Sequence, residues 1–213
     1  FTPGHYAPRF SPVPSVISIM DLAFLKFPNE FRHKDLKQLT SWTEYSVHQA
    51  AHIFAISTAT KNDIVRYYNI DPEKITVTHL GLSKLPMIEQ KEKAKSFQSF
   101  KAHLGITKPY ILYIGTLQPR QNIERLIDAY TLIKQNPHFN QLKLVLVGKK
   151  GWLYEDMFKK VKQLKLYDDV IFTGFVSDFE KYELLRNASV YVLPSLYEGF
   201  GLPVLEAMSV GTP

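Results

Sequence analysis

The stretch that decides the fold is SLYEGFGLPVLEAM, residues 195–208. It follows an apolar run at residues 190–193 that predicts a buried strand. Gly199 and Gly201 then predict a turn, and Leu202 with the proline after it predicts a helix start, because proline suits a first-turn position whose N–H has no partner. A strand, a glycine-rich turn and a helix in this order direct backbone N–H groups and the positive helix end at one spot, which favours an anion site.

Two carboxylates flank this turn. Glu198 precedes the glycines, and Glu206 lies about one turn into the predicted helix. An anion site beside two carboxylates suits a ligand that carries both phosphate and hydroxyl groups, such as a nucleotide sugar. Glycine-rich turns before helices are common and glutamate pairs are usually solvated, so the two carboxylates alone also fit an ordinary surface turn.

The rest of the chain alternates between strand and helix patterns. Strands are predicted at residues 16–20, 52–56, 75–78, 110–115, 142–148 and 170–173, and helices at 31–49, 58–68, 93–104, 123–134, 153–166 and 177–187. Ser57 and Asn122 are predicted N-caps, and Ser177 with Glu180 predicts a capping box. Strands joined by helices at this spacing indicate α/β units with parallel sheets.

Composition narrows the class of protein and its partners. The chain has 213 residues, 45% of them hydrophobic and 22% charged, which is typical of a globular protein. It contains no cysteine, which excludes a disulfide framework and a thiol nucleophile and fits a reducing compartment. The net charge of +6 leaves phosphates, other anionic ligands or an acidic membrane surface open as partners. The lysines are scattered, so the sequence predicts no nucleic-acid patch.

The organising stretch resembles the E-x7-E motif of retaining glycosyltransferases of family 4, and the match extends through YVLPS at 191–195 and SVGTP at 209–213. The resemblance implies the GT-B fold, two Rossmann-like α/β domains with the site in the interdomain cleft. Residues 1–83 would form part of the acceptor-side domain, 84–108 a linker and helix, and 109–213 part of the nucleotide-sugar-binding domain. Because the chain lacks a starting Met and ends where another strand is expected, we expect a fragment with both domains incomplete, inactive alone.

The family's activity would be the transfer of a sugar from a nucleotide-diphosphate donor to a hydroxyl of a glycan or lipid-linked acceptor, with no metal and no other cofactor. GDP-mannose is the favoured donor, because GTLQPR at residues 115–120 is similar to that branch, and UDP-sugars stay open. The expected location is the cytoplasm, with peripheral association at the inner face of the membrane left open. No D-x-D string, Walker motif or dehydrogenase fingerprint is present.

The string GTLQPRQN at residues 115–122 resembles the family motif G-T-x-x-P-R-K-N, in which Arg and Lys bind the donor diphosphate. Arg120 matches that Arg, whereas Gln121 stands at the Lys and brings no charge. Gln121→Lys is therefore expected to leave donor binding equal or tighter. The remaining donor-binding residues implied by the motifs and strand ends are Gly115, Thr116, Gly148, Lys149, Val176, Asp178, Lys181, Gly199, Phe200, Gly201, Leu202 and Glu206.

These residues would have different roles. Val176 would pack on the nucleotide base or donate to it from its backbone, with Asp178 and Lys181 at the edge of the base. An acidic residue such as Asp178 equally suits the first turn of a helix. Glu206 would bind the ribose. The catalytic residues would be Glu198, near the transferred sugar, and His5, in a loop similar to the family segment where a His contacts the sugar or the reacting centre.

One departure from the family lies in the first domain. Met20 stands in ISIMDL, residues 17–22, where the family has T-I-H-D-L, and a Met side chain cannot relay a proton. Together with Gln121 it favours the alternative hypothesis, a non-catalytic nucleotide-sugar-binding domain.

Overall fold

The computed structural model describes residues 1–82, 90–106, 109–152 and 154–213. The chain divides into two compact units. Unit 1 contains Phe1–Gly81 and Tyr197–Gly201, and unit 2 contains Leu82–Leu196 and Leu202–Pro213. The sequence assigned all of residues 109–213 to one domain, whereas the five residues that carry Glu198 group with unit 1.

Unit 1 is a three-stranded parallel sheet with helices between its strands. Its elements are β1 (Val16–Ile19), α1 (Ala23–Lys26), α2 (His33–Gln49), β2 (His52–Ala55), α3 (Thr58–Tyr68) and β3 (Ile75–Val77). The strand order is β1-β2-β3. The core is formed by strand residues such as Ile17 and Ile53 together with Val47 of α2 and Ile64 of α3, all fully buried.

Unit 2 contains a four-stranded sheet that is also parallel. Its elements are α4 (Gln90–His103), β4 (Tyr110–Ile114), α5 (Ile123–Lys134), β5 (Lys143–Val147), α6 (Glu155–Gln163), β6 (Val170–Gly174), α7 (Asp178–Asn187), β7 (Val190–Tyr191) and α8 (Leu202–Ser209). Alternate residues of β4 face opposite cores. Tyr113 packs with the residues of α5 and α6, and Leu112 packs with those of α7 and α8. This alternation buries both faces of the sheet, as the apolar strand runs predicted.

The strand order of unit 2, β6-β5-β4-β7, decides where a ligand can bind. The chain moves outward from β4 through β5 to β6 and then returns to the other side of β4 as β7. Ligands of open parallel sheets bind beyond the carboxyl ends of the strands at such a reversal. The loops after β4 and β7, which carry the two motifs singled out in the sequence, therefore flank this switch point.

The α/β fold with parallel sheets is confirmed. Apart from the short helix α1, which was not predicted, the differences in helices and strands lie at element ends. Helix α2 begins at His33 and not at residue 31, because Phe31 and Arg32 have extended backbone angles. Helix α6 ends at Gln163, shortly before Lys165 adopts a left-handed conformation. The predicted helix at 93–104 corresponds to α4. Residue 83 of the predicted first domain, residues 84–89 and 107–108 of the predicted linker, and residue 153 of the helix predicted at 153–166 lie outside the described residues.

Candidate functional site

Backbone and side-chain hydrogen bonds join the loops after β4 and β7. The backbone N–H of Leu196 donates to the carbonyl oxygen of Arg120 at 3.0 Å. The Nδ2 group of Asn122 donates to the carbonyl of Pro194 at 2.9 Å. Asn122 is the N-cap residue of α5, as predicted, but its backbone is left-handed (φ 58°) and its side chain makes no cap hydrogen bond.

Gln121 also takes part in the contacts between the loops after β4 and β7. It is 7% exposed, and its Oε1 accepts hydrogen bonds from the hydroxyls of Ser195 at 2.7 Å and Tyr113 at 3.1 Å. Tyr113 lies in β4 and Ser195 opens the motif after β7, so Gln121 links the strand to both loops. The residue that replaces the family's Lys thus lies inside unit 2 as a hydrogen-bond acceptor.

The neighbouring Arg120 is part of a short 3₁₀ turn, Pro119–Gln121, and is only partly buried. The carbonyl group of Arg120 is held by the hydrogen bond from Leu196, and the Nε atom of its side chain is buried. A planar guanidinium at a loop that follows a strand end suits bidentate binding of phosphate oxygens.

Glycines allow the loops after β4, β5 and β6 to meet. Gly148, which follows β5, has φ of +146°, and a Cβ on it would collide with the carbonyl oxygen of Gly115. Its N–H donates to the carbonyl of Gly174 at 3.0 Å. Only glycine fits a backbone approach of this kind. The predicted donor residues Gly115, Thr116, Gly148 and Lys149 are thus brought to one edge of the sheet.

Side chains around this edge differ in exposure. Thr116 is exposed. The Nζ of Lys149 lies 4.8 Å from the ring centroid of Phe175, which is 73% exposed, so a cation and an aromatic face both remain at the surface. Val176 is 8% exposed and packs in the core beside α7, so the side chain expected to pack on the base is largely enclosed by protein.

Glu206 of α8 is paired with Lys181 of α7. Their Nζ–Oε1 distance is 2.8 Å, and the two side chains are 19% and 14% exposed for Lys181 and Glu206 respectively. Burial lowers the pKa of Lys181, but its hydrogen bond to Glu206 and the charge of that carboxylate outweigh this effect, and the pKa is raised overall. Asp178 lies 3.7 Å from the same Nζ and is largely exposed in the first turn of α7. The pair holds one oxygen of the Glu206 carboxylate in place.

The segment Tyr197–Gly201 packs within unit 1. Gly199 is buried against the loop after β1, where a Cβ would collide with the carbonyl oxygen of Met20. The ring of Phe200 lies 5.9 Å from that of His79. Glu198 therefore lies directly before Gly199, the residue that packs against Met20.

Met20 also connects this segment to His5. Its backbone N–H donates to His5 Nε2 at 3.3 Å, so the proton of the neutral ring lies on Nδ1. Burial lowers the pKa of His5 more than the nearby Asp21 raises it, which favours the neutral ring. Nδ1 is buried and has no hydrogen-bond partner among the residues that the structure describes. His5 thus offers one N–H donor.

Unit 1 contains an aromatic cavity, and one of its lining residues, Tyr6, directly follows His5. It has a volume of about 120 Å³, room for several water molecules, and is lined by Tyr6, Ala7, Arg9, Trp42, Tyr45 and Ser46. The rings of Tyr6 and Trp42 meet edge to face at 5.2 Å, and the Arg9 guanidinium lies 4.5 Å from the ring centroid of Tyr45. No local sequence pattern indicates this cavity, because its aromatic residues come from a loop and from α2.

A family model for glycosyl transferases group 1 matches residues 95–213, more than half of the chain. The chain belongs to this family. It is 30% identical over 202 residues to O-antigen chain mannosyltransferase B of Escherichia coli, and this match covers 93% of the chain and 51% of the relative. It is 29% identical over 204 residues to O-antigen chain mannosyltransferase RfbU of Salmonella typhimurium, covering 92% and 50%.

Solved structures share the fold of this group 1 chain. The complex of Anabaena HepE with UDP-glucose matches with a TM-score of 0.70 at 22% identity, covering 94% of the chain and 52% of that protein. This likeness confirms the GT-B type of fold predicted from the motifs. The chain spans about half the length of the curated relatives it matches.

Two observations concern metals and membranes. In the described parts of this group 1 chain, no three His, Asp or Glu side chains are grouped as a metal site would need. None of the described helices is both long and apolar enough to span a bilayer.

Because Gln121 is buried, we expect Gln121→Lys to affect the stability of this chain. A Lys there would remove the acceptor of Tyr113 and Ser195 and bring a charge into a buried site, so we expect the free energy of unfolding to fall by about 1–3 kcal/mol. Urea denaturation measures it. Gln135→Lys, the same change at an exposed helix end, is the control. Equal stability of the two variants would contradict the buried network.

Proposed function

We propose that this chain is part of a retaining glycosyltransferase that moves a sugar, with mannose favoured, from a nucleotide-diphosphate donor to a hydroxyl of a glycan or lipid-linked acceptor. The observation that carries the proposal is the joining of the Arg120 loop to the motif after β7 at the switch point of unit 2. The two mannosyltransferase relatives support mannose, and the UDP-glucose complex of HepE keeps UDP-sugars in consideration.

In this proposal unit 2 binds the donor. Arg120 holds the diphosphate, with the backbone N–H of Leu202 and the loops at Gly115–Thr116 and Gly148–Lys149 around it. Glu206 accepts hydrogen bonds from the ribose hydroxyls. Because Lys181 occupies Oε1, the Oε2 atom is the one oriented for this task. Asp178 and Val176 lie on the base side. Gln121 positions the phosphate loop and does not itself supply charge.

Glu198 and His5 act on the transferred sugar. Glu198 holds a sugar hydroxyl or stabilises the positive charge that develops at the anomeric carbon. The leaving phosphate accepts the acceptor's proton, so Glu198 need not be a nucleophile. His5 acts at the sugar with a neutral ring, whose orientation is set by the Met20 N–H that donates to Nε2. The hydrogen bond to His5 comes from the backbone N–H of Met20 and not from its side chain. The Met side chain, at a position where the family has His, therefore does not disrupt this bond.

The proposed acceptor site is the aromatic cavity beside His5. The C–H face of a pyranose ring stacks on aromatic side chains, and Tyr6 and Trp42 present such faces. The net charge of +6 supports contact of a lipid-linked acceptor with an anionic membrane surface. The cysteine-free sequence supports a cytoplasmic location.

Trp42→Ala tests the acceptor site. Loss of one aromatic contact of about 0.5–1.5 kcal/mol should raise the acceptor KM about two- to tenfold and leave the donor KM unchanged. Steady-state kinetics of the full-length protein measures both. The control is Phe139→Ala, since Phe139 is an aromatic residue of unit 2 that is 44% exposed, as Trp42 is. An unchanged acceptor KM would exclude this cavity.

The proposed function itself is tested by incubating the full-length protein with labelled GDP-mannose and UDP-glucose and a glycan acceptor, and by a thermal-shift screen of GDP, UDP and ADP. A ligand that binds only the native state raises the melting temperature. Transfer of label confirms the enzyme. A melting-temperature rise without transfer or hydrolysis would favour the alternative, a non-catalytic nucleotide-sugar-binding protein, for which Gln121 at the family's Lys position is the supporting feature.

A further inference from the structure

An ionic network around the buried carboxylate of Asp63 lies next to Glu198 in unit 1. The hydroxyl of Tyr197 donates to Oδ2 of Asp63 at 2.6 Å, and Nζ of Lys26 lies 2.8 Å from Oδ1 of the same carboxylate. Asp63 is 6% exposed, so its charge is taken out of water and is stabilised by these two partners. We name this set, Lys26, Asp63 and Tyr197, the Asp63 network.

The three side chains form a closed arrangement. Besides its ion pair, Nζ of Lys26 lies 4.4 Å from the ring centroid of Tyr197, within range of a cation–π interaction. The ring of Phe27 lies 6.5 Å from that of Tyr197. Burial, and then the Asp63 carboxylate, raise the pKa of Tyr197 above its ordinary value, so the phenol stays protonated and remains a donor. Each member therefore restrains the other two.

The network restrains one side of Glu198, and a backbone contact restrains the other. Tyr197 precedes Glu198, and Gly199 after it is buried against the carbonyl oxygen of Met20. Met20 is in turn the residue whose N–H donates to His5. The backbone of Glu198 is thus held between Tyr197 and Gly199, and Met20, against which Gly199 packs, also orients His5.

We propose that the Asp63 network is a positioning device for Glu198, which sets where its carboxylate lies relative to His5. The proposal rests on the proposed function, because it assigns a role to residues that act through Glu198. Lys26, Asp63 and Tyr197 do not contact the substrate in this proposal. A displacement of about 1 Å in a group that acts on the reacting atoms can reduce the rate about 100-fold, so such a device affects turnover.

Tyr197→Phe in the full-length protein tests the proposal, because it removes one hydroxyl and keeps the ring. We expect kcat to fall about 10- to 100-fold, with the donor KM changed less than about twofold. Asp63→Asn should have a similar effect. The double variant should be no worse than the more impaired single variant, because both changes break the same network.

The control is Tyr110→Phe. Tyr110 is 1% exposed in unit 2, and its hydroxyl donates to the carbonyl of Leu184 at 2.7 Å, so this variant also loses a buried tyrosine hydrogen bond. A merely structural role of the Asp63 network predicts that Tyr197→Phe and Tyr110→Phe lose stability alike and keep the wild-type kcat. That result would overturn the proposal.

A second readout does not depend on activity. Hydrogen exchange at the amides of Gly199 and Phe200 should be faster in Tyr197→Phe than in Tyr110→Phe. Unchanged exchange would overturn the proposal even if kcat fell, because the segment would then not be held by Asp63. If the full-length protein transfers no sugar from any donor, the proposed function fails, and the exchange measurement still decides whether the network holds this segment.

Discussion

Glu198→Gln in the full-length protein should lower kcat about 100-fold or more while the donor KM changes little. Gln keeps the size of the side chain but removes the negative charge that, in the proposed function, stabilises the developing positive charge of the sugar. Loss of one group that stabilises charge in the transition state typically costs about 100- to 1000-fold in kcat. An interaction made mainly in the transition state affects kcat and not KM.

Glu206→Gln provides the contrast, because its proposed partner is the ribose, which does not change during the reaction. We expect the donor KM to rise about tenfold, with a smaller effect on kcat. Glu183→Gln, which alters an i,i+3 ion pair with Arg186 on α7, is the control for loss of a surface charge. If Glu198→Gln and Glu206→Gln both lose stability and keep normal kinetics per folded molecule, the two carboxylates only stabilise the turn and the helix.

Arg120→Ala should weaken binding of the nucleotide diphosphate at least about tenfold. A hydrogen bond to a charged group contributes roughly 1.5–3 kcal/mol, and 1.4 kcal/mol corresponds to a factor of ten in Kd. Isothermal titration calorimetry with GDP and UDP measures the change. Arg120→Lys should recover only part of the affinity, because a lysine cannot form the planar fork that binds two phosphate oxygens.

The matched control for Arg120 is Arg125→Ala. Arg125 is an exposed cation on α5, five positions further along the chain, and its removal lowers the net charge equally. If Arg120→Ala and Arg125→Ala bind the nucleotide alike, the diphosphate lies elsewhere and the motif at residues 115–122 has a structural role only.

Local sequence patterns predicted the first and last residues of several helices correctly. Helices Thr58–Tyr68 and Ile123–Lys134 have the predicted bounds, and the capping box of Ser177 and Glu180 is present. These features depend on residues within one or two turns of each other, so the sequence contains all that is needed. Helix α1, which has four residues, was missed, because a single turn has too few residues to show a helical period.

Side-chain partners far apart in sequence were not predictable in this way. Nothing around Gln121 indicates that its Oε1 accepts from Ser195, 74 positions away. The same holds for Asn122, whose side chain bonds Pro194 and does not cap its helix. Both outcomes depend on β7 pairing beside β4, and this pairing is a property of the sheet order.

By itself, the sequence determined the α/β class, the strand–turn–helix order at residues 190–209 and the motif that identifies the family, because these depend on short-range periodicity and on residue types at fixed spacing. Only the tertiary structure decided that Tyr197–Gly201 groups with unit 1, that Asp63 binds Tyr197 across 134 positions, and that Lys181 holds Glu206. A buried charge is stabilised by whichever partner the chain topology brings to it, and the topology is not encoded in the neighbours of either residue.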